Sequence, residues 1–493
     1  MEQNQSIKYE FLSQDPNVKT LPIMLSLIIG AFFAVLNETL LNIALTTLMH
    51  EFHITLPTVQ WMATGFMLVM GIVIPISALM LQWFTTRQLF IGVMVTFTIG
   101  TIICAIAPSF PVLLVGRLIQ AVGTGLLMPI IFNVFLLLYP PENRGKIMGI
   151  VGLIFTFAPA IGPTLSGVIV EYLGWRYLFI IVIPFALFSI VFASKYLTNI
   201  SEVTKPKIDV LSIIFSTIGF GSIIYGFSAA GEKGFLSPSV FVTIIIGIIG
   251  VVLFSLRQFK LKEPVMNLRV FKYPMYTHAV LMFLIIIMAM FASEIILPIF
   301  MQGPLALTAA AAGLVLLPGS LLNGLMSPFM GQLFDKFGPR VLMIPATLVL
   351  SGTVFTLSRL TAETPIWIIV LCYILLMLSV SAIMMPAQTN GLNQLPKSLY
   401  PHGTAVMTTL QPVAGAIGVT VFISIMNAKQ NHLLSKATNP SDPATVSQAM
   451  VAGVELVYLI AFVITILAII LSFTVYRAVP KEMFETEESD SKS

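Results

Sequence analysis

Four ionisable side chains stand where long apolar runs leave little water to hold them. Glu38 lies in the middle of the run 21–48, Glu294 deep in the run 275–301 and Glu455 near the start of the run 451–476. Arg117 falls about a third of the way into the run 110–138. Burial penalises the ionised form of a carboxyl, so such an acid is suited to take a proton at one face of a membrane and release it at the other. The competing reading of Glu38 and Glu294 is structural, with each carboxyl hydrogen-bonded to an Asn or Ser of a neighbouring helix. Glu455 reads as interfacial. A cation at the depth of Arg117 costs about 2.5–3.5 kcal/mol on insertion scales, which a wet cavity or a carboxylate would offset; snorkelling to the interface is the alternative. Other chemistry is missing from the sequence. It has no Walker-type phosphate loop, no CxxC, no His/Cys cluster and no nucleophile–base constellation. ATP is therefore not expected as the direct energy source, and neither a membrane enzyme nor a cofactor is expected.

The elements that must hold these residues follow from composition. Of 493 residues, 57% are hydrophobic and 9% charged, with a mean hydropathy of +0.98. A soluble domain carries roughly a quarter charged residues, so most of this surface faces lipid. Backbone groups in lipid must be paired internally, and no ten-residue alternating pattern is present, so helices are the workable spanning element. The apolar blocks predict fourteen spans. The first six are 21–48, 58–82, 89–107, 110–138, 146–170 and 174–197; the next two are 208–230 and 237–256. The last six are 275–301, 308–333, 339–359, 364–386, 404–427 and 451–476. The first is too long for a signal-peptide core and reads as retained. An even number of crossings puts both termini on one side. If that side is the cytoplasm, 19 of the 25 Lys and Arg fall inside, five outside and Arg117 within a span, so the positive-inside rule selects it.

An internal repeat divides the chain. Pro75, Ala78, Gln82, Phe84, Thr85 and Arg87 mark the end of the second span as Pro328, Gly331, Asp335, Phe337, Gly338 and Arg340 mark that of the tenth. Met128-Pro129…Asn133 is echoed by Met385-Pro386…Asn390, and Ala158…Gly162 by Ala414…Gly418. The separations are 253 to 257 residues, each linking a span to the eighth one after it. An even offset preserves orientation, so the copies are parallel, related by an axis along the membrane normal. The expected organisation is a cytoplasmic segment 1–20, a six-helix bundle 21–200, two additional helices with their linkers 201–273, a second six-helix bundle 274–478 and an acidic cytoplasmic tail 479–493.

These residues resemble a known family. Gly174-Trp175-Arg176-Tyr177-Leu178-Phe179 is similar to the signature of the 14-span drug:proton antiporter branch of the major facilitator superfamily. Arg117…Gln120…Gly123, and Ala158-Pro159…Gly162-Pro163…Gly167, are similar to its span 4 and span 5 motifs; Gly331, Asp335, Gly338 and Arg340 resemble its gate motif. Leu36–Leu45 resembles its first-span motif, with Asn37 where the Asp usually stands and the carboxylate displaced to Glu38. The whole is most similar to lincomycin-resistance-type multidrug exporters. The resemblance implies alternating access in the cell membrane, with proton-driven export of amphipathic drugs by a monomer that uses the proton gradient and no cofactor. An exporter dedicated to one metabolite, lipid intermediate or signalling molecule is the other reading. Expected proton-coupling residues are Glu38, Glu294 and Arg117. Asn42, Gln120, Asn323 and Gln411 are expected in the substrate cavity, and Arg87, Gly162, Pro163, Asp335, Gly338 and Arg340 in gating. Gln82 and Thr85 depart from the gate motif, which leaves Asp335 as the charged latch.

Overall fold

The structure is a computed structural model. It describes residues 20–478 except 55, 201, 202, 207, 234–236, 308, 438 and 440, with several further side chains inside helices also outside the description. All of its regular elements are helical. The first half contains α1 (Thr20–Phe52), α2 (Leu56–Val73), α3 (Ser77–Trp83), α4 (Thr86–Ala105), α5 (Phe110–Leu138), α6 (Arg144–Tyr172), α7 (Tyr177–Ile180) and α8 (Val182–Tyr196). Two more follow, α9 (Val210–Lys233) and α10 (Pro238–Lys260). The second half contains α11 (Pro274–Gln302), α12 (Ala309–Phe337), α13 (Pro339–Leu357), α14 (Ile366–Asn393), α15 (Tyr400–Leu434) and α16 (Pro443–Thr474).

A 3-10 turn at Ile74–Ile76 joins α2 to α3 around Pro75, whose ring removes a backbone donor. Ile181 joins α7 to α8. Counting each joined pair once leaves fourteen helical segments among the described residues. Among the described residues thirteen are long and apolar enough to span a bilayer; the other, α6, is a 29-residue helix in the fifth position. The chain is a multi-pass membrane protein.

The repeat is visible in the packing. In the first bundle α1 lies on α6 and α8, and α5 on α2 and α4. In the second the equivalent helices pair alike: α11 lies on α15 and α16, and α14 on α12 and α13. The bundles meet along α6–α12 and along α3–α15, and the α9–α10 hairpin covers the second seam, with α9 packed on both α2 and α15. Gly219 and Gly250 let α9 and α10 approach closely, since a Cβ on either would run into the other helix's backbone. The helix ends carrying Arg87, Arg144, Lys260, Lys272 and Arg340 share one side of the molecule, called here the basic face.

Candidate functional site

In the first bundle Arg117 is 2% exposed. Its Nη1 donates to Asn37 Oδ1 at 2.9 Å and to Gln120 Oε1 at 3.1 Å, and its Nη2 donates to the Glu38 carbonyl at 3.2 Å. Its guanidinium carbon lies 4.0 Å from the Phe66 ring centroid. Gln120 in turn donates to Thr101 Oγ1 at 2.8 Å, and Asn37 reaches the Leu178 carbonyl at 3.4 Å. One guanidinium thus joins α1, α2, α4, α5 and α7. The amide at position 37 does what a carboxylate would do there, without adding a second buried charge. Gln120 is spent on this bracket, fully buried rather than free in an open cavity.

The Glu38 carboxyl is not part of the bracket. It is half-buried, and among the described residues it makes neither a hydrogen bond nor an ion pair within 4 Å. One residue along a helix turns a side chain by about 100°, so Asn37 faces Arg117 while Glu38 does not. Gly162 sits beside this stretch: a Cβ there would strike the Thr39 side chain, and Ser166 bonds the Leu40 carbonyl at 2.5 Å. The α6 motif therefore packs directly on the turn of α1 that carries Glu38. The side chains of Asn42 and Pro163 lie outside the described residues.

The second bundle carries the counterpart. Glu294 on α11 is 256 positions from Glu38 on α1, within the 253–257 spacing of the repeat. It too is half-buried and, among the described residues, without a hydrogen bond or ion pair. Among the described residues no arginine bracket stands beside it. Nearby α14 and α12 join through Tyr373 and Ser320, whose hydroxyls are 3.2 Å apart. Asn323 is 3% exposed and donates weakly to Met377 Sδ at 3.5 Å; Gln411 on α15 is half-buried. Glu455 pairs loosely with Arg359, at 3.9 Å, where both side chains are exposed. His278 is 8% exposed and bonded to the Leu471 carbonyl at 2.6 Å.

The basic face is closed by two related contacts. Asp335 at the end of α12 accepts from the backbone N–H groups of Gly145 and Lys146, each at 2.8 Å. A carboxylate at a helix N-terminus satisfies orphan donors and the helix dipole together. Gly331 and Gly145 make the approach possible, since a Cβ on either would enter the other's carbonyl. At the related position Gln82, ending α3, lies 3.1 Å from His402 Nε2 at the start of α15. Arg87 donates to the Ser194 carbonyl ending α8, and Arg340 donates to the Val475 carbonyl beyond α16 at 2.5 Å. Both arginines therefore anchor within their own bundles rather than across the seam. Gly338 adopts φ 77° as the N-cap of α13, where Thr85 instead forms a capping box with Gln88. Arg144 is fully buried and donates to Asn393 Oδ1 at 2.8 Å across the seam.

At the opposite face Trp175 Nε1 and Arg176 Nη1 both donate to Glu51, at 2.6 and 2.9 Å. Gly174 takes φ 93° to turn the chain there. Partial burial pushes the Glu51 carboxyl up, but the hydrogen bonds from Arg176 and Trp175 and the guanidinium charge hold it below its ordinary value. Sequence reasoning missed Glu51, Arg144, Asn393 and His402. The first two were findable as charges flanking spans at the turns they staple; Asn393 and His402 carry no such signal.

Two bundles related by an in-register repeat meet at a glycine-lined seam closed at one face, which is the plan of a transporter. The Major Facilitator Superfamily model matches residues 27–419, and the chain belongs to that family. It is 51% identical to the lincomycin resistance protein LmrB of Bacillus subtilis over 93% of this chain and 96% of that one. It is 46% identical to the LmrB of Listeria monocytogenes over 94% and 98%. The fold is that of the proton:xylose symporter XylE (TM-score 0.61, 14% identity, 92% of this chain and 95% of that one).

Proposed function

We propose that this chain exports amphipathic compounds, often cationic and including antibiotics, from the cytoplasm by alternating access in exchange for protons. The observation that carries the reading is the pair Glu38 and Glu294: equivalent positions of the two bundles, both half-buried, both without a hydrogen bond or ion pair among the described residues. An acid left unpaired at such depth is best neutralised by a proton, and it gains most from ionising when a cation arrives. Protons entering on these acids and leaving toward the cytoplasm would give exchange. Arg117, bracketed by Asn37 and Gln120, keeps a fixed positive charge close to Glu38. Relatives named for lincomycin resistance support antibiotic cargo, and the charge bias supports a basic face in the cytoplasm of a cell-membrane protein. A membrane potential contributes about 2.3 kcal/mol per charge per 100 mV, enough to drive accumulation. Uptake into proteoliposomes under separately imposed pH and sodium gradients tests this. Lincomycin or an amphipathic cation should accumulate with the pH gradient alone; dependence on sodium alone, or saturable uptake confined to one metabolite, would replace the reading.

A further inference from the structure

The two helices inserted between the bundles are tied into the Gln82–His402 contact by a closed ring of hydrogen bonds. The linker entering α9 docks on the end of α3: Thr204 and Lys205 donate their backbone N–H groups to the Gln82 carbonyl at 3.0 and 3.2 Å, and Trp83 Nε1 donates to the Pro206 carbonyl at 2.8 Å. Lys205 holds φ 46° to do so. At the start of α9, Asp209 accepts from Arg257 Nε and Nη2 at 2.6 and 2.8 Å, and Ser212 accepts from Gln258 Nε2 at 2.6 Å, so the basic-face ends of α9 and α10 are joined. Gln258 Oε1 then accepts from Met266 N at 3.2 Å in the linker leaving α10. The next residue, Asn267, donates its N–H to His402 Nδ1 at 3.2 Å. With Nδ1 accepting, His402 carries its proton on Nε2, 3.1 Å from the Gln82 side-chain amide, whose oxygen accepts it when the amide turns that way. The entering linker is fastened to the first bundle and the leaving linker to the second. His402 and Gln258 are 6% and 2% exposed, so these bonds form away from competing water.

We propose that the α9–α10 hairpin is a strap that holds the basic face closed at the seam where Gln82 stands in place of a carboxylate, with His402 as its positioning residue. Separating α3 from α15 must open the ring somewhere, so each bond in it favours the closed arrangement. The strap does at the α3–α15 seam what Asp335 does at the α6–α12 seam, with the neutral Gln82 and His402 side chains and an inserted element in place of one carboxylate. The inference rests on the alternating-access reading and is independent of cargo and of the coupling ion.

Spin labels at Phe84 and Ser398, both exposed at the α3–α15 seam, would read the opening directly in nanodiscs without cargo or gradient. The wild-type chain should show mainly the short distance. His402→Ala should raise the long-distance population about 3- to 10-fold, the scale of one or two neutral hydrogen bonds. Gln258→Leu, which breaks the ring far from the latch, should shift it in the same direction, and the double variant should exceed neither single by much. His402→Asn, which retains an acceptor for the Asn267 N–H, should recover part of the closed population. Unchanged distances in both single variants would overturn the strap. So would a shift from His402→Ala with none from Gln258→Leu, which would confine the effect to the latch. A wild-type chain that never shows a second distance, even with cargo and a gradient, would instead strike at alternating access itself.

Discussion

Asp335→Asn isolates the charge of the α6–α12 latch with almost no change in shape. The carboxylate accepts two backbone N–H bonds of 2.8 Å at the first turn of α6. An amide offers one acceptor oxygen and turns an NH2 toward the other donor, so one bond is lost. The survivor also loses its charge at a helix N-terminus. A net bond of about 0.5–1.5 kcal/mol and a terminal charge worth about 0.3–1 kcal/mol sum to about 1–2 kcal/mol, or about 5- to 30-fold in the closed-to-open ratio. Ser327 is 2% exposed and packs on Gly149 and Gly152 across the same seam. A Ser327→Cys reporter, with Cys104 and Cys372 replaced by Ser, should therefore react with a maleimide only when the seam opens. Asp335→Asn should speed that reaction about 5- to 30-fold while leaving expression and membrane insertion intact. Gln82→Ala should do less, because Gln82 contributes no charge. An unchanged rate in Asp335→Asn, or equal acceleration from both variants, would refute the reasoning.

Three further outcomes follow. Gly331→Ala should abolish transport without preventing insertion, because its Cβ enters the Gly145 carbonyl; seam cross-linking at the basic face should fall with it. Arg117→Lys should destabilise the first bundle by about 1–3 kcal/mol, since one ammonium cannot serve Asn37, Gln120 and the Glu38 carbonyl or lie flat on Phe66; thermal unfolding of the purified protein measures this. Glu51 is held below its ordinary pKa when folded, so its staple is intact at neutral pH. It is lost only as pH falls through that depressed value, and proteolysis at the α6–α7 turn should rise in acid but not in Glu51→Gln, which is already unstapled.

Much of this architecture was legible from hydropathy. The fourteen apolar runs correspond to the crossings, and a bilayer leaves helices as the spanning element. The repeat was read from Pro75, Phe84 and Arg87 against Pro328, Phe337 and Arg340, and its packing is plain in the parallel roles of Arg87 and Arg340. Side-chain direction was not legible. Hydropathy says that Glu38 and Arg117 are both deep, but not that the guanidinium faces Asn37 and leaves the carboxyl free. The Gln82 position looked like a degraded copy of Asp335 because sequence could not show that His402 and the inserted linkers converge on it. Such contacts depend on residues 120 to 320 positions away, and no local pattern encodes them.

The central claim is that Glu38 and Glu294 carry the proton, and replacing both with Gln tests it most directly. Gln keeps the shape of each side chain and fixes it neutral. The Glu38→Gln, Glu294→Gln chain should insert, bind cargo and support cargo exchange in proteoliposomes without a gradient, yet lose accumulation driven by a pH gradient. Wild-type accumulation in that double variant under the same gradient would contradict the account.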